Sequence, residues 1–177
     1  MIELKNKSPN LLVIGDLMID KYFWGKSERI SPEAPVQVIN VSNESMVLGG
    51  AGNVINNLKV LGSNVDVISV IGNDENAIKL KDLLISINVD TKYLITEDNR
   101  ITSKKSRVIA SQQQVVRYDH ESIDEISRTS QKLILETFKK IINNYDIVLI
   151  SDYGKGILST KLTPASYTHL TLPTTPY

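Results

Sequence analysis

Asp16 and Asp20, in the run Gly15-Asp16-Leu17-Met18-Ile19-Asp20, are carboxylates placed just beyond an apolar stretch, Leu11-Leu12-Val13-Ile14. An ionised carboxylate accepts hydrogen bonds and donates none, so the pair suits hydroxyl groups and repels a pyrophosphate. That chemistry points to a polyhydroxyl ligand, a sugar. Gly49-Gly50-Ala51-Gly52-Asn53 stands immediately before a helical pattern. Its glycines admit a ligand close to the backbone, the helix start offers free N–H groups, and Asn53 carries both a donor and an acceptor. The loop lacks the Lys-Ser/Thr of a P-loop, and it does not follow the first strand as a dinucleotide fingerprint would. Lys92, Arg100, Lys104, Lys105, Arg107 and Arg117 outweigh Glu97 and Asp98 in the stretch between them. Arginine there is suited to clamp a phosphate with two parallel hydrogen bonds. In Ser151-Asp152-Tyr153-Gly154-Lys155-Gly156, Asp152 is a further hydroxyl acceptor and Lys155 a counter-charge. Each cluster alone has a plainer reading: a capped turn, a loop packing a helix on a sheet, or basic residues guarding a strand edge. Together they converge on a sugar that carries a phosphate.

These residues need elements to hold them. Leu11–Gly15, Val65–Ile71 and Asp146–Ser151 are short continuous apolar runs, the pattern of strands buried on both faces of a parallel sheet. Helical patterns lie between them. Gly52–Gly62 places Val54, Leu58 and Leu61 on one face and ends at a glycine stop. Asp74–Asn88 opens on a capping residue and aligns Ala77, Leu80, Leu84 and Ile87. Ser122–Asn144 carries a stripe of Ile126, Leu133, Ile134, Phe138, Ile141 and Ile142. This alternation predicts an α/β doubly wound sheet, with the clusters at the carboxyl ends of its strands, where ligands bind. Pro35–Val41 alternates apolar and polar, and Lys104–Asp119 reads as a hairpin turning at Ser-Gln. Pattern alone leaves open whether these form a separate flap or extend the main sheet.

Composition narrows the classes. The 177 residues hold 20 Lys+Arg against 20 Asp+Glu, a formal net charge of zero, which argues against a nucleic-acid binder. Hydrophobic residues at 41% and charged residues at 23% are ordinary for a folded domain. The absence of Cys excludes a disulfide framework and fits a reducing cytoplasm, and 2 His make a multi-His metal site improbable. No apolar run reaches the roughly 18 residues of a membrane span, and the N-terminus has no signal-peptide core. Every Lys, Arg, Asp and Glu lies at or before Lys161, so Leu162–Tyr177, rich in Thr and Pro, carries no formal charge.

The segments GDLMIDKYFWG, ERISPEAPVQVINV and LGGAGNVINNLKVLG resemble the N-terminal region of ribokinase-like (phosphofructokinase-B type) carbohydrate kinases. RISPEAPV (29–36), KKSRVIASQQQVVRYDHE (104–121) and SDYGKG (151–156) resemble the branch that phosphorylates D-glycero-β-D-manno-heptose 7-phosphate. The resemblance covers roughly residues 10–161. It implies a ribokinase-like doubly wound, mostly parallel sheet with a small β lid, the lid segments spanning about 16–45 and 93–120 of a kinase region 1–162. It implies a cytoplasmic enzyme, with neither nucleic acid nor membrane as partner, that dimerises through the lid. Phosphate passes from ATP, with Mg²⁺, to the anomeric hydroxyl of the heptose phosphate, on the route to ADP-heptose and lipopolysaccharide. By position, the substrate-binding residues are Asp16, Asp20, Gly49, Gly50, Asn53, Lys104, Arg107 and Asp152. Asp16 and Asp20 would hold sugar hydroxyls, Gly49, Gly50 and Asn53 would line the sugar, and Asp152 would be an acidic sugar contact. Lys104 and Arg107 match the lid motif, and their charge suits the 7-phosphate.

The sequence also departs from the family. The family's second signature, Gly-Ala-Gly-Asp, supplies an anion hole and the general base, and it does not occur here. The expectation is therefore a kinase region incomplete at its C-terminal side, inactive alone and with no ATP or Mg²⁺ bound well. Residues 163–177 share no pattern with the family's continuation and read as an artefactual tail. An unpaired sheet edge left by such a cut predicts self-association. Alternatives at this point are a kinase for another sugar or a nucleoside, and a non-catalytic sugar-binding or dimerisation module.

Overall fold

The computed structural model of the protein describes residues 8–158, so the stretch 163–177 lies outside the described residues. In chain order the elements are β1 (Asn10–Gly15), β2 (Leu17–Ile30), β3 (Gln37–Gly50), α1 (Ala51–Val60), β4 (Asn64–Gly72), α2 (Glu75–Ser86), β5 (Leu94–Glu97), β6 (Lys104–Ala110), β7 (Gln113–His120), α3 (Arg128–Ile141) and β8 (Ile147–Ser151). A 3₁₀ turn, Ile142–Asn144, joins α3 to β8.

The main sheet has the order β5-β4-β1-β8, and every pairing in it is parallel. Successive side chains of β1 point to opposite faces. Leu11 and Val13, with Val65 and Val67 of β4, meet Ile55 of α1 and Leu80 and Leu84 of α2. Leu12 and Ile14, with Ile68 and Val70, meet Ile134, Phe138 and Ile141 of α3. Both faces are covered, which is why β1 and β4 read as nearly unbroken apolar runs. Buried Ser69 is an exception, and its hydroxyl donates to the Gly15 carbonyl at 2.7 Å.

Caps set the helix starts. Asp74 caps α2, its Oδ1 accepting from Ala77 N at 2.8 Å, while Oδ2 accepts from Thr102 N at 2.8 Å. Such a cap stabilises by about 1 kcal/mol. α3 begins later than its apolar pattern suggests. Ser127 is the cap, accepting from Ser130 N at 3.1 Å. Residues 122–126 are spent elsewhere: Ser122 Oγ accepts from Ile101 N, and Ile126 N donates to the Gly156 carbonyl. Ile126 is buried from outside the helix, and Leu133 is exposed. In α1 Leu58 packs against the core as expected, but Ile55 rather than Val54 is the fully buried residue, and Leu61 is exposed.

The second sheet is separate and has the order β3-β2-β6-β7. β2 pairs antiparallel with β3 and parallel with β6, and β6 pairs antiparallel with β7. Ser111 and Gln112 both take positive φ, 51° and 68°, as a two-residue type I′ hairpin turn requires. The lid arms differ from the expected bounds. The first runs through Gly50, and the second starts at Lys104 because β5 belongs to the main sheet. Among the described residues β8 pairs only with β1, and Ile147 and Ile150 on it are exposed.

Glu97 joins β5 to the start of α3 by accepting from Ser127 N at 2.9 Å. Burial raises its carboxyl, but hydrogen bonds from Ser130 and Ser127 outweigh that and hold it below the usual range. A depressed carboxyl contributes stability that is complete above its unfolded pKa, about 4.3, and lost as pH falls through the lower folded value. Thermal melts should therefore weaken on acidification below about pH 4.3. Glu97→Gln should flatten that acid limb; an unchanged limb contradicts the assignment.

Candidate functional site

Asp16 is the single residue between β1 and β2, and so between the two sheets. It is wholly buried. Its N–H donates to the Ser151 carbonyl at 3.1 Å, and its carbonyl accepts from Ala51 N, at the start of α1, at 2.9 Å. Its Oδ2 accepts from Tyr153 N at 2.7 Å and Lys155 N at 3.2 Å, and Oδ1 from Ile157 N at 3.4 Å. Gly154 and Gly156, at φ 67° and 81°, turn the backbone so that the alternate amides converge on one anion. The geometry thus gives Asp16 the task of holding the 152–157 loop. Arg100 grips the same loop from inside, donating to the Lys155 carbonyl and to the Asp124 carbonyl. Burial pushes its guanidinium below its ordinary value, against the pull of Glu97, Asp16 and Asp124.

Asp20 lies on the lid, four residues beyond this junction. Its Oδ1 meets Arg107 Nη1 at 2.5 Å, and both side chains keep about a fifth of their surface exposed. Arg107 also stacks over Tyr22, its Cζ 5.3 Å from the ring centroid. The guanidinium is held above its ordinary value, first by the Asp20 hydrogen bond. Gly49 is required beside this pair: a Cβ there would stand 2.5 Å from Asp20 Oδ2 and 2.9 Å from Met18 Cγ. Gly50, also buried, caps α1 with φ 55°. Asp20 and Arg107 share a lid face with Lys105, and charged contacts link that face to the main sheet. Lys105 pairs with Asp119 at 2.8 Å and Glu121 at 3.3 Å, and Lys155 of the buried-anion loop reaches Glu121 at 2.6 Å. Asp119 is held below the usual carboxylate range, chiefly by the Lys105 hydrogen bond.

The structure therefore brings Asp20, Gly49 and Arg107 together, with Gly50 beside the Asp16 backbone. It does not bring Lys104 to Arg107. Three residues apart on one strand, they point to opposite faces. Lys104 faces α2, where Glu75 is held below the usual range first by Lys79 and more weakly by Lys104 and Lys21. Asn53 is exposed and lines a cavity of about 340 Å³ with Met46, Leu48, Leu83 and Ile87. Asp152 is exposed just past β8, and its Oδ1 accepts from Gly154 N at 2.8 Å. Sequence reasoning named Lys105 only within a basic cluster, did not select it for the site, and did not single out its partners Asp119 and Glu121. The signal was available, since Lys105 and Arg107 are two apart in a strand pattern. Arg100 had no signal beyond its charge. Among the described residues no three or more His, Cys, Asp or Glu gather to hold a metal ion. None of their helices is long and apolar enough to cross a membrane.

A parallel sheet covered on both faces, a β lid over its carboxyl edge, and paired charges between them define a ribokinase-like α/β fold. The profile of the pfkB family carbohydrate kinases matches residues 8–172, and the chain belongs to that family. The match runs into the charge-free stretch after Lys161. Bifunctional protein HldE of Aliarcobacter butzleri is 65% identical over 158 residues, covering 89% of this chain and 33% of that protein. Bifunctional protein HldE of Sulfurimonas denitrificans is 55% identical over 159 residues, covering 90% and 33%. The chain thus spans about a third of the length of these curated relatives. Among solved structures, a carbohydrate kinase from Agrobacterium tumefaciens superposes with a TM-score of 0.58 at 21% identity, over 80% of this chain and 45% of that one. Arabidopsis thaliana ribokinase, complexed with ribose and ATP, gives 0.55 at 16%, over 81% and 45%.

Removing the buried anion should be costly. Asp16→Ala strands the converging amides of the 153–157 loop and removes one of the three carboxylates near Arg100, at a cost of about 3–5 kcal/mol. Denaturant titration measures it, and a loss below about 1 kcal/mol, the value of an ordinary hydrogen bond, contradicts the role. Gly49→Ala should cost about 1–3 kcal/mol by overpacking against Asp20 and Met18.

Proposed function

We propose that this chain forms the acceptor-sugar part of a kinase that moves phosphate from ATP, with Mg²⁺, to the anomeric hydroxyl of D-glycero-β-D-manno-heptose 7-phosphate. The product feeds ADP-heptose and lipopolysaccharide synthesis in the cytoplasm. Membership of the pfkB family, the similarity to bifunctional HldE proteins and the lid motifs RISPEAPV and KKSRVIASQQQVVRYDHE support this reading. The observation that carries it is the Asp20–Arg107 pair, a hydroxyl acceptor side by side with a cation suited to phosphate, on the lid face that charged contacts tie to the loop after β8.

In this reading Asp20 and Asp152 accept hydroxyl hydrogen bonds and orient the sugar. Gly49 and Gly50 keep the wall beside Asp20 free of side chains, and Arg107 takes the 7-phosphate. Asp16 acts through the 152–157 loop rather than on the ligand. Lys104 lies on the other face of β6, so it acts on substrate only through the lid. In the reaction an acceptor oxygen bonds to the γ-phosphorus, the bond from that phosphorus to the bridging oxygen breaks, ADP leaves, and the acceptor proton passes to a base. The sequence holds no Gly-Ala-Gly-Asp, so these residues bind and orient, and the 177-residue chain turns over no ATP by itself. A homodimer joined through the lid fits β7, an edge strand on which Val115, Val116 and Tyr118 are exposed.

The test is a chimera in which residues 10–158 replace the matching segment of the Aliarcobacter butzleri relative. ATP-dependent phosphate transfer to heptose 7-phosphate is expected. Asp20→Asn should lower kcat/KM by about 10- to 100-fold, the worth of a hydrogen bond to a charged group. Preferred transfer to an unphosphorylated sugar or a nucleoside would overturn the reading.

A further inference from the structure

We propose that Arg107 is a specificity-determining residue that masks Asp20 until the phosphate of the incoming sugar draws it away. The inference rests on the function proposed above and deepens it. Asp20 is the hydroxyl acceptor of that site, and Arg107 Nη1 already occupies its Oδ1 at 2.5 Å. Its Oδ2 lies against Gly49, where even a methyl group would not fit. A sugar hydroxyl therefore meets a carboxylate with one oxygen held by Arg107 and the other packed against Gly49.

The other cations of this face have counter-ions of their own. Lys105 pairs with Asp119 and Glu121, Arg117 with Asp119, and Lys155 with Glu121. Arg107, among these described residues, is the one paired with the hydroxyl acceptor itself. Its guanidinium has five N–H donors in a rigid fork, and the Asp20 contact uses one end of it. A phosphate accepts such a fork through two oxygens, which a lone carboxylate oxygen cannot match. The pair is not sealed, since both side chains keep about a fifth of their surface exposed, so an incoming anion can reach it. A phosphorylated sugar replaces the contact it breaks, and the freed Asp20 then binds its hydroxyls. An unphosphorylated sugar must break the pair and offers Arg107 nothing in return. One ion pair thus makes hydroxyl recognition conditional on phosphate, and by linkage the two effects are reciprocal.

Calorimetry on the full 177-residue chain, and in parallel on the chimera, reads the effect with heptose 7-phosphate, unphosphorylated heptose and inorganic phosphate as probes. Circular dichroism confirms that each variant is folded, with Arg107→Gln beside Arg107→Ala in case one is not. In either variant the preference for the phosphorylated sugar should fall by about tenfold or more (about 1.4 kcal/mol), and unphosphorylated heptose should bind more tightly than it does to the parent. Asp20→Asn frees Arg107 and should tighten inorganic phosphate several-fold. Equal weakening of both sugars in the Arg107 variants, or unchanged or weaker phosphate binding in Asp20→Asn, overturns the proposal. A parent that binds neither sugar overturns the function reading instead, while the phosphate comparison between parent and Asp20→Asn still decides the masking.

Discussion

The position of the lid over the main sheet depends on one buried carboxylate. Asp16 alone separates β1 from β2, so the chain has no slack in which to vary the angle between the sheets. Its backbone is tied to β8 through Ser151 and to α1 through Ala51, and its side chain to the amides of the 153–157 loop. A buried charge is costly unless fully hydrogen-bonded. The glycines at 154 and 156 make that satisfaction possible by pointing alternate amides inward. Arg100 completes the arrangement by taking the Lys155 carbonyl, so the loop is held through both its donors and its acceptors.

That constraint explains why the charged contacts on the lid face have a fixed geometry. Lys155 presents its amide to Asp16 and its ammonium to Glu121 at the end of β7. The same residue therefore fastens the loop to the sheet junction below and to the lid above. Lys105, Asp119 and Glu121 extend this contact along the face that carries Asp20 and Arg107. The side chains in these pairs keep only 14% to 22% of their surface exposed. Their effect here is positional, because each is anchored on a strand or on a loop already held by buried groups.

Much of this was legible in the sequence, and the failures have physical causes. β1 and β4 are apolar runs because helices cover both of their faces, and the cap of α2 is visible in Asp74. The hairpin of β6 and β7 was visible, even though its turn uses Ser111 and Gln112 at positive φ rather than glycine. β2 was not. Register shifts at Trp24/Gly25 and Ser27/Arg29 break its period of two, so 14 residues of strand carry no clean alternation. α3 was overextended because Ile126 continues the apolar period, although its N–H goes to Gly156 instead of into a helix. At the site, residue type pointed to hydroxyl and phosphate chemistry, but type cannot assign faces. Asp16 and Asp20 looked equivalent, yet one is wholly buried among backbone amides and the other is partly open beside Arg107.

The contrast between those two aspartates carries the functional argument furthest. A carboxylate satisfied by rigid backbone donors cannot change partners without unfolding the loop that supplies them. A carboxylate satisfied by a side-chain guanidinium can, because rotation about the arginine stem is all that separates the paired and unpaired states. The fold places the first kind at the hinge between its sheets and the second on the lid. The permanent anion fixes geometry, and the exchangeable one is left to answer to ligand. A glycine at position 49 keeps the exchangeable carboxylate close to the backbone, where few competing groups can reach it. On the proposed reading, recognition requires a ligand that supplies both an anion for the arginine and hydroxyls for the aspartate, and a sugar phosphate meets that requirement within one molecule.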